Sequence, residues 1–151
     1  MTWRAGLALG LGLLWSVLAG AAGLAPAVNL QADARAARAG GYPVVVLFSR
    51  HDCRYCETVR RDHLLPLLRS QAYRGRVVVR QIDQDRETPL IDFTGAATTH
   101  AAFARRERVR LVPVVAFYGA QGQALADPIV GLRLPDFYDS YLESALQAAR
   151  R

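Results

Sequence analysis

The chain holds two cysteines, Cys53 and Cys56, in the stretch "SRHDCRYCETV" at 49–59. Two sulfurs three positions apart can act as a redox pair, half of a metal site, a catalytic nucleophile with a bystander, or a structural bridge. A bridge across three residues closes too little chain to stabilise a fold much. A structural zinc site normally takes four ligands, and the chain has no second cysteine set. Exchange with a disulfide needs a thiolate, whereas a free cysteine keeps its proton to about pH 8.5. A helix start carries roughly half a positive charge and free N–H groups, which favour an anion. The redox reading therefore asks for one sulfur at a helix N-terminus. The second should lie one turn inward, where it resolves the mixed disulfide.

The elements around the pair supply such a place. "PVVVLFS" (43–49) is a near-continuous β-branched run, the pattern of a strand covered on both faces. The cysteines follow at once and open a predicted helix, "CETVRRDHLL", which Pro66 should kink or end. Before them, "NLQADARAARAGG" reads as a short helix stopped by Gly40 and Gly41. "RVVVRQID" (76–83) is a second buried strand. "TPLIDFTGAATTH" reads as a loop, with Thr98 or Thr99 capping the next helix, "HAAFARRERV". "VPVVAFY" (112–118) is a third strand, and "ALADPIVG" a fourth, paired to it as a hairpin through the turn "GAQG". Pro128 lacks a ladder donor, so that strand should be an edge or bulged there. "LPDFYDSYLESALQAARR" closes the chain as an amphipathic helix with a stripe of Phe137, Tyr141, Leu142, Ala145 and Leu146. The order α-β-α-β-α-β-β-α implies an α/β fold: a parallel pair plus an antiparallel hairpin in one four-stranded mixed sheet, with helices on both faces.

At 151 residues the chain is long enough for one domain with a real core. It has 19 arginines and no lysine, with a net charge of +6. The arginines are scattered and no basic strand is interleaved with aromatics, so nucleic acid is not expected as a partner. Residues 1–24 have a positive start, an apolar middle and an Ala/Gly-rich exit, the pattern of an export signal. Cleavage falls between Ala19 and Gly23, with an uncleaved membrane anchor over residues 5–25 as the alternative. No cysteine lies there for lipid attachment. The domain, 25–151, is then expected in an oxidising, periplasmic compartment, where thiols meet disulfide chemistry.

From about Val44 to the C-terminus, "PVVVLFS…CRYC", "RVVVRQIDQD", "ERVRLVPVVAFYGAQG" and "IVGL" before a terminal helix resemble thioredoxin. The resemblance implies the thioredoxin fold, with Cys53 as nucleophile and Cys56 as resolving thiol. It places Pro113 on the family's cis-proline, with Val112 offering its backbone to an extended substrate chain; Arg110 and Gly131 also match. It implies no bound cofactor and no metal. Expected partners are protein thiols and disulfides, with a membrane electron donor as a further candidate. Tuning of the redox centre falls to Arg54 and Tyr55 between the sulfurs and to Asp52 before them. Arg54 favours the Cys53 thiolate, while Asp52 opposes it.

Three departures separate the chain from the cytosolic reductant. The dipeptide between the sulfurs is Arg-Tyr rather than Gly-Pro, Asp52 replaces a tryptophan, and Leu47 stands where thioredoxin buries an aspartate. A Cys-x-Tyr-Cys centre is similar to those of periplasmic disulfide isomerases and of exported thioredoxin-like proteins tied to sulfur oxidation. The isomerases need a separate dimerisation domain, for which this chain has no room, so a monomer of the second kind is expected. Two other classes stay open: a copper-binding chaperone of the same fold, and a redox-silent binding module. Copper chaperones of this fold use a longer cysteine spacing with a distant histidine, an arrangement absent here.

The histidines and remaining charges have ordinary readings. His51 is expected as an exposed loop residue, though it could serve as base or third metal ligand. His63 lies ~10 Å along the helix from Cys56 and is expected as a partly packed residue, and His100 needs no special role. "ARRERVR" (104–110) reads first as a solvated face and second as a cationic rim, with Arg50 and Arg54, for acidic partners. Glu57 could assist Cys56, yet pairing with Arg60 and Arg61 explains it as well.

Overall fold

The computed structural model describes residues 23–150, so the export-signal reading of residues 1–24 lies almost wholly outside the described residues. Strand β1 (Val44–Ser49) is buried at all six positions. Its side chains alternate between two cores. Val45 and Leu47 face one with Val59, Leu64, Val115, Phe117, Tyr138, Leu142 and Leu146. Val44, Val46 and Phe48 face the other with Leu30, Ala34, Ile82, Phe103 and Val114. Burying such side chains stabilises by about 1.5–3 kcal/mol each, which explains why no polar residue interrupts the run before Ser49.

Around β1 the sheet has the order β2-β1-β5-β6. β2 (Val78–Asp83) runs parallel to β1, in the register that sets Ser49 beside Asp83. β5 (Val114–Tyr118) runs antiparallel on the other side, and β6 (Ala124–Val130) pairs antiparallel with β5 at the edge. Between Val115/Ile129 and Phe117/Ala126 the register shifts, so β6 bulges where Pro128 sits. On the other flank the segment at Ala25–Ala27 exchanges hydrogen bonds with Gln81 and covers β2.

Helix α1 (Leu30–Gly40) lies over the second core; the Asn29 side chain accepts the Ala32 N–H at its start. Gly41, at φ 73, ends it by donating its N–H to Ala37 and Arg38 carbonyls. The crossover from β1 to β2 is helical: α2 (Arg54–Thr58), a π-helical segment (Val59–Leu64) and α3 (Leu65–Arg69) follow without a break. Pro66 thus does not end the helix. It sits where the π-helical segment passes into α3, and the change of hydrogen-bond register there accommodates a residue without an N–H.

The segment read as a loop contains a small hairpin, β3 (Pro89–Ile91) paired antiparallel with β4 (Ala97–Thr99). Its turn is built by Asp92, which accepts from the Thr94 and Ala96 N–H groups and the Thr94 hydroxyl and pairs with Arg106 at 2.7 Å. Helix α4 (His100–Arg106) follows, with Thr99 accepting the Ala102 N–H as its cap. A 3₁₀ turn (Pro135–Phe137) leads into α5 (Tyr138–Ala148). The buried stripe of α5 is Tyr138, Leu142 and Leu146, continued by Ala149. Phe137 and Tyr141, expected in that stripe, are 59% and 49% exposed. The 3₁₀ turn rotates Phe137 out and hands its place to Tyr138.

Candidate active site

The end of β1 delivers the cysteines to the surface. Cys53 is the N-cap of α2, with extended backbone, and its Sγ accepts the Cys56 N–H at 3.1 Å. A sulfur in that position takes up a hydrogen bond that the helix start leaves unmade and lies in its positive field. Cys56, one turn inward, is fully buried, and a disulfide joins the two with Cα atoms 5.2 Å apart. Cys53 is half-buried, so it is the sulfur that an incoming group meets first. Leu47 on β1 and Val59 after α2 are both closed to solvent in the first core.

Each neighbour expected to tune the pair has a definite placement. The Arg54 guanidinium lies 5.0 Å from the centre of the Tyr55 ring, and Tyr55 is 52% exposed. Asp52 pairs with Arg50 at 2.8 Å, which offsets its charge beside Cys53. His51 is exposed and bonds Asp85 through Nδ1. That bond holds the Asp85 carboxyl below the ordinary carboxylate range. Among the described residues no group of three or more His, Cys, Asp or Glu could hold a metal ion.

On the β5 side, the Val112–Pro113 peptide is cis. Val112 lies just before the ladder of β5, and the Pro113 carbonyl accepts the Gly131 N–H at 2.8 Å. Gly131 has φ 75, a conformation other residues adopt at a cost. Pro113 and Gly131 are thereby tied together at the end of β6.

On the β2 side lie residues that sequence reading did not connect to the cysteines. Arg60, Gln81, Asp83 and Arg86 line an open groove with Arg50, Asp52, Cys53, Arg54 and Glu57. Arg60 pairs with Glu57 and donates to Gln81 at 2.9 Å, and Gln81 donates to Asp83 at 2.7 Å. The signal for this groove was the parallel pairing of β1 with β2, which brings the ends of both strands together. The arginines of 104–110 are not part of it: Arg105 and Arg106 engage Glu87 and Asp92.

His63 packs on the Tyr138 ring with Nδ1 bonded to Asp139 at 2.7 Å. His100 departs from expectation. It is buried, its Nδ1 accepts the Asp83 N–H at 3.1 Å, and its Nε2 lies 2.8 Å from the Ala27 carbonyl. Both contacts are satisfied by the neutral Nε2–H tautomer.

Residues 30–146 match the thioredoxin-like domain family. Among solved structures, mitochondrial thioredoxin 3 from Saccharomyces cerevisiae in its oxidized form has a TM-score of 0.54 at 20% identity, over 82% of this chain and 93% of that one. Oxidized thioredoxin O2 from Arabidopsis thaliana has a TM-score of 0.53 at 18% identity, over 82% and 94%. A poplar thioredoxin h has a TM-score of 0.50 at 20% identity, over 76% and 85%. No curated protein matches the chain. With the family match spanning most of its length, the mixed sheet in the order β2-β1-β5-β6 and a disulfide at the head of α2, the chain belongs to the thioredoxin-like family, and its close cysteine pair supports thiol–disulfide oxidoreductase chemistry.

Proposed function

We propose that the protein exchanges thiols and disulfides with protein partners outside the cytoplasm, as a monomer and without a bound cofactor. The observation that carries this reading is the Cys53 Sγ at the N-cap of α2, accepting the Cys56 N–H. An anion at that atom gains the field of the helix start and an N–H partner together. Once reduced, Cys53 attacks a partner disulfide, and Cys56 displaces the partner from the resulting mixed disulfide. The backbone of Val112 serves as the ledge for an extended partner segment, and Arg54, Tyr55 and Asp52 adjust the thiolate. Export rests on the pattern of residues 1–24. The Arg-Tyr dipeptide and the buried, apolar Leu47 of β1 favour the exported, sulfur-oxidation-associated kind over the cytosolic reductant, with a membrane protein as electron donor.

Equilibration with reduced and oxidised glutathione tests the reading. A single two-electron transition with a potential between about −270 and −120 mV is expected. The position of that potential decides between reductase and oxidase. A disulfide that does not exchange with glutathione, while the protein remains folded, overturns the proposal.

A further inference from the structure

The groove on the β2 side of Cys53 has a charge pattern that thiol exchange alone does not require. It gathers four guanidinium groups from separate parts of the chain: Arg50 after β1, Arg54 and Arg60 on the helix, and Arg86 after β2. Two of them are committed, Arg50 to Asp52 and Arg60 to Glu57. Among the described residues, Arg54 and Arg86 have no carboxylate partner and no side-chain hydrogen bond; Asp83 accepts from the Gln81 amide and keeps its charge, so four guanidinium groups face three carboxylates (Asp52, Glu57 and Asp83) in the lining. The reactive sulfur therefore borders a groove with two guanidinium forks free to take an anion. Arginine recognises a carboxylate through two parallel N–H bonds, with more geometric selectivity than a point charge. By the strand order, this groove and the Val112–Pro113 edge flank Cys53 on opposite sides, so the two can be filled together.

We infer that this groove is a subsite for disulfides that carry a carboxylate close to the sulfur. The inference rests on the exchange reading above and adds a substrate class to it. In the reaction, the Cys53 thiolate forms a bond to one sulfur of the substrate. The substrate S–S bond breaks and the first half leaves as a thiolate, which takes a proton from water. Cys56 then attacks the Cys53 sulfur, the bond from Cys53 to the second half breaks, and the Cys56 proton passes through water to that half, which leaves as a thiol. The dithiol supplies both electrons and ends as the Cys53–Cys56 disulfide, and the substrate ends as two thiols. The guanidinium groups take no part in bond making. They raise the occupancy of anionic substrates next to the sulfur, an effect that salt weakens.

Single-turnover oxidation of the pre-reduced protein tests this with three probes: oxidised glutathione (anionic), bis(2-hydroxyethyl) disulfide (neutral) and cystamine (cationic). Each rate is divided by that of dithiothreitol, a neutral thiol unrelated to any of the three probes, with the same disulfide, which removes intrinsic reactivity. The normalised rate for oxidised glutathione should exceed that for cystamine about tenfold at low salt and approach it near 1 M salt, where screening acts within about 3 Å. Arg86→Ala should lower the ratio about three- to fivefold, Arg86→Glu should lower it further, and Arg86→Lys should retain most of it. The Arg86 side chain is exposed and its backbone bonds to Asp83 and Ala101 survive substitution, so the neutral probe should react unchanged. Disulfide-linked peptides with aspartate or lysine beside the cysteine form a second arm. A preference for aspartate there extends the subsite to acidic protein segments; a preference confined to oxidised glutathione assigns it to small disulfides. Normalised rates within twofold of one another at low salt, or a ratio unmoved by Arg86→Glu, would overturn the subsite. Failure of the neutral probe to oxidise the dithiol at all would instead sink the exchange reading beneath it.

Discussion

At the residue scale, the proposed exchange turns on how two flanking charges act on one sulfur. Arg54 stands at the first helical position with no carboxylate partner, whereas Asp52 is paired with Arg50. Arg54→Ala should therefore raise the pH at which the Cys53 thiolate forms and make the disulfide less oxidising, because the reduced form loses stabilisation. The shift should stay below about one pH unit, since an exposed charge is screened by solvent. Asp52→Ala should move both quantities in the opposite direction and by less, as Arg50 already offsets that carboxylate. Thiolate absorbance titrated at two salt concentrations measures both effects, which should shrink at the higher salt. An unchanged thiolate titration in Arg54→Ala at low salt would leave the helix start as the sole source of stabilisation.

At the element scale, the last helix and the small hairpin offer two tests. Leu142 is buried against the first core, so Leu142→Ala should cost about 2–5 kcal/mol, while exposed Phe137→Ala should cost less than about 0.5 kcal/mol. Urea unfolding of the two variants checks which face of α5 is covered. In the hairpin, burial pushes the Asp92 carboxyl up, but the hydrogen bonds of Thr94, Arg106 and Ala96 outweigh it and hold it at about 2. A carboxyl depressed from about 3.9 in the unfolded chain stabilises the fold above that value, and its contribution fades as pH falls toward about 2. Asp92→Asn should therefore cost on the order of 1–2 kcal/mol at neutral pH, with a difference from wild type that narrows below pH 4. A cost independent of pH would place the role of Asp92 in shape rather than charge. The same elements show what sequence makes legible. The strands β1 and β5 stand out because burial on both faces leaves long β-branched runs. The hairpin does not: each of its strands has three residues, too few for a period, and of β3 and β4 only Leu90 is buried. A helical stripe carried back through Phe137 fails because that residue belongs to a 3₁₀ turn of different pitch.

At the scale of the whole molecule, the cysteine pair and its helix start were legible because strand, motif and helix are contiguous in the chain. The groove beside them was not, since Arg86 and Cys53 meet only through the register of β1 on β2. His100 escaped for a similar reason, as its partners Ala27 and Asp83 are distant in sequence. That histidine joins α4, the end of β2 and the segment covering the sheet edge, so His100→Ala leaves a buried carbonyl (Ala27) and a part-buried N–H (Asp83) without partners. A loss of about 2–4 kcal/mol is expected, at about 1–3 kcal/mol per group with partial rescue by water. Faster hydrogen exchange at the Ala27 and Gln81 amides should accompany it, and protection unchanged from wild type would show the clamp to be idle. The central claim, that Cys53 attacks and Cys56 resolves, is tested most directly by trapping. Cys56→Ser should accumulate mixed disulfides with partner proteins through Cys53, resolved by non-reducing electrophoresis and mass spectrometry, while Cys53→Ser should trap almost none. Accumulation through Cys56 in the Cys53→Ser protein, with none in Cys56→Ser, would contradict the account.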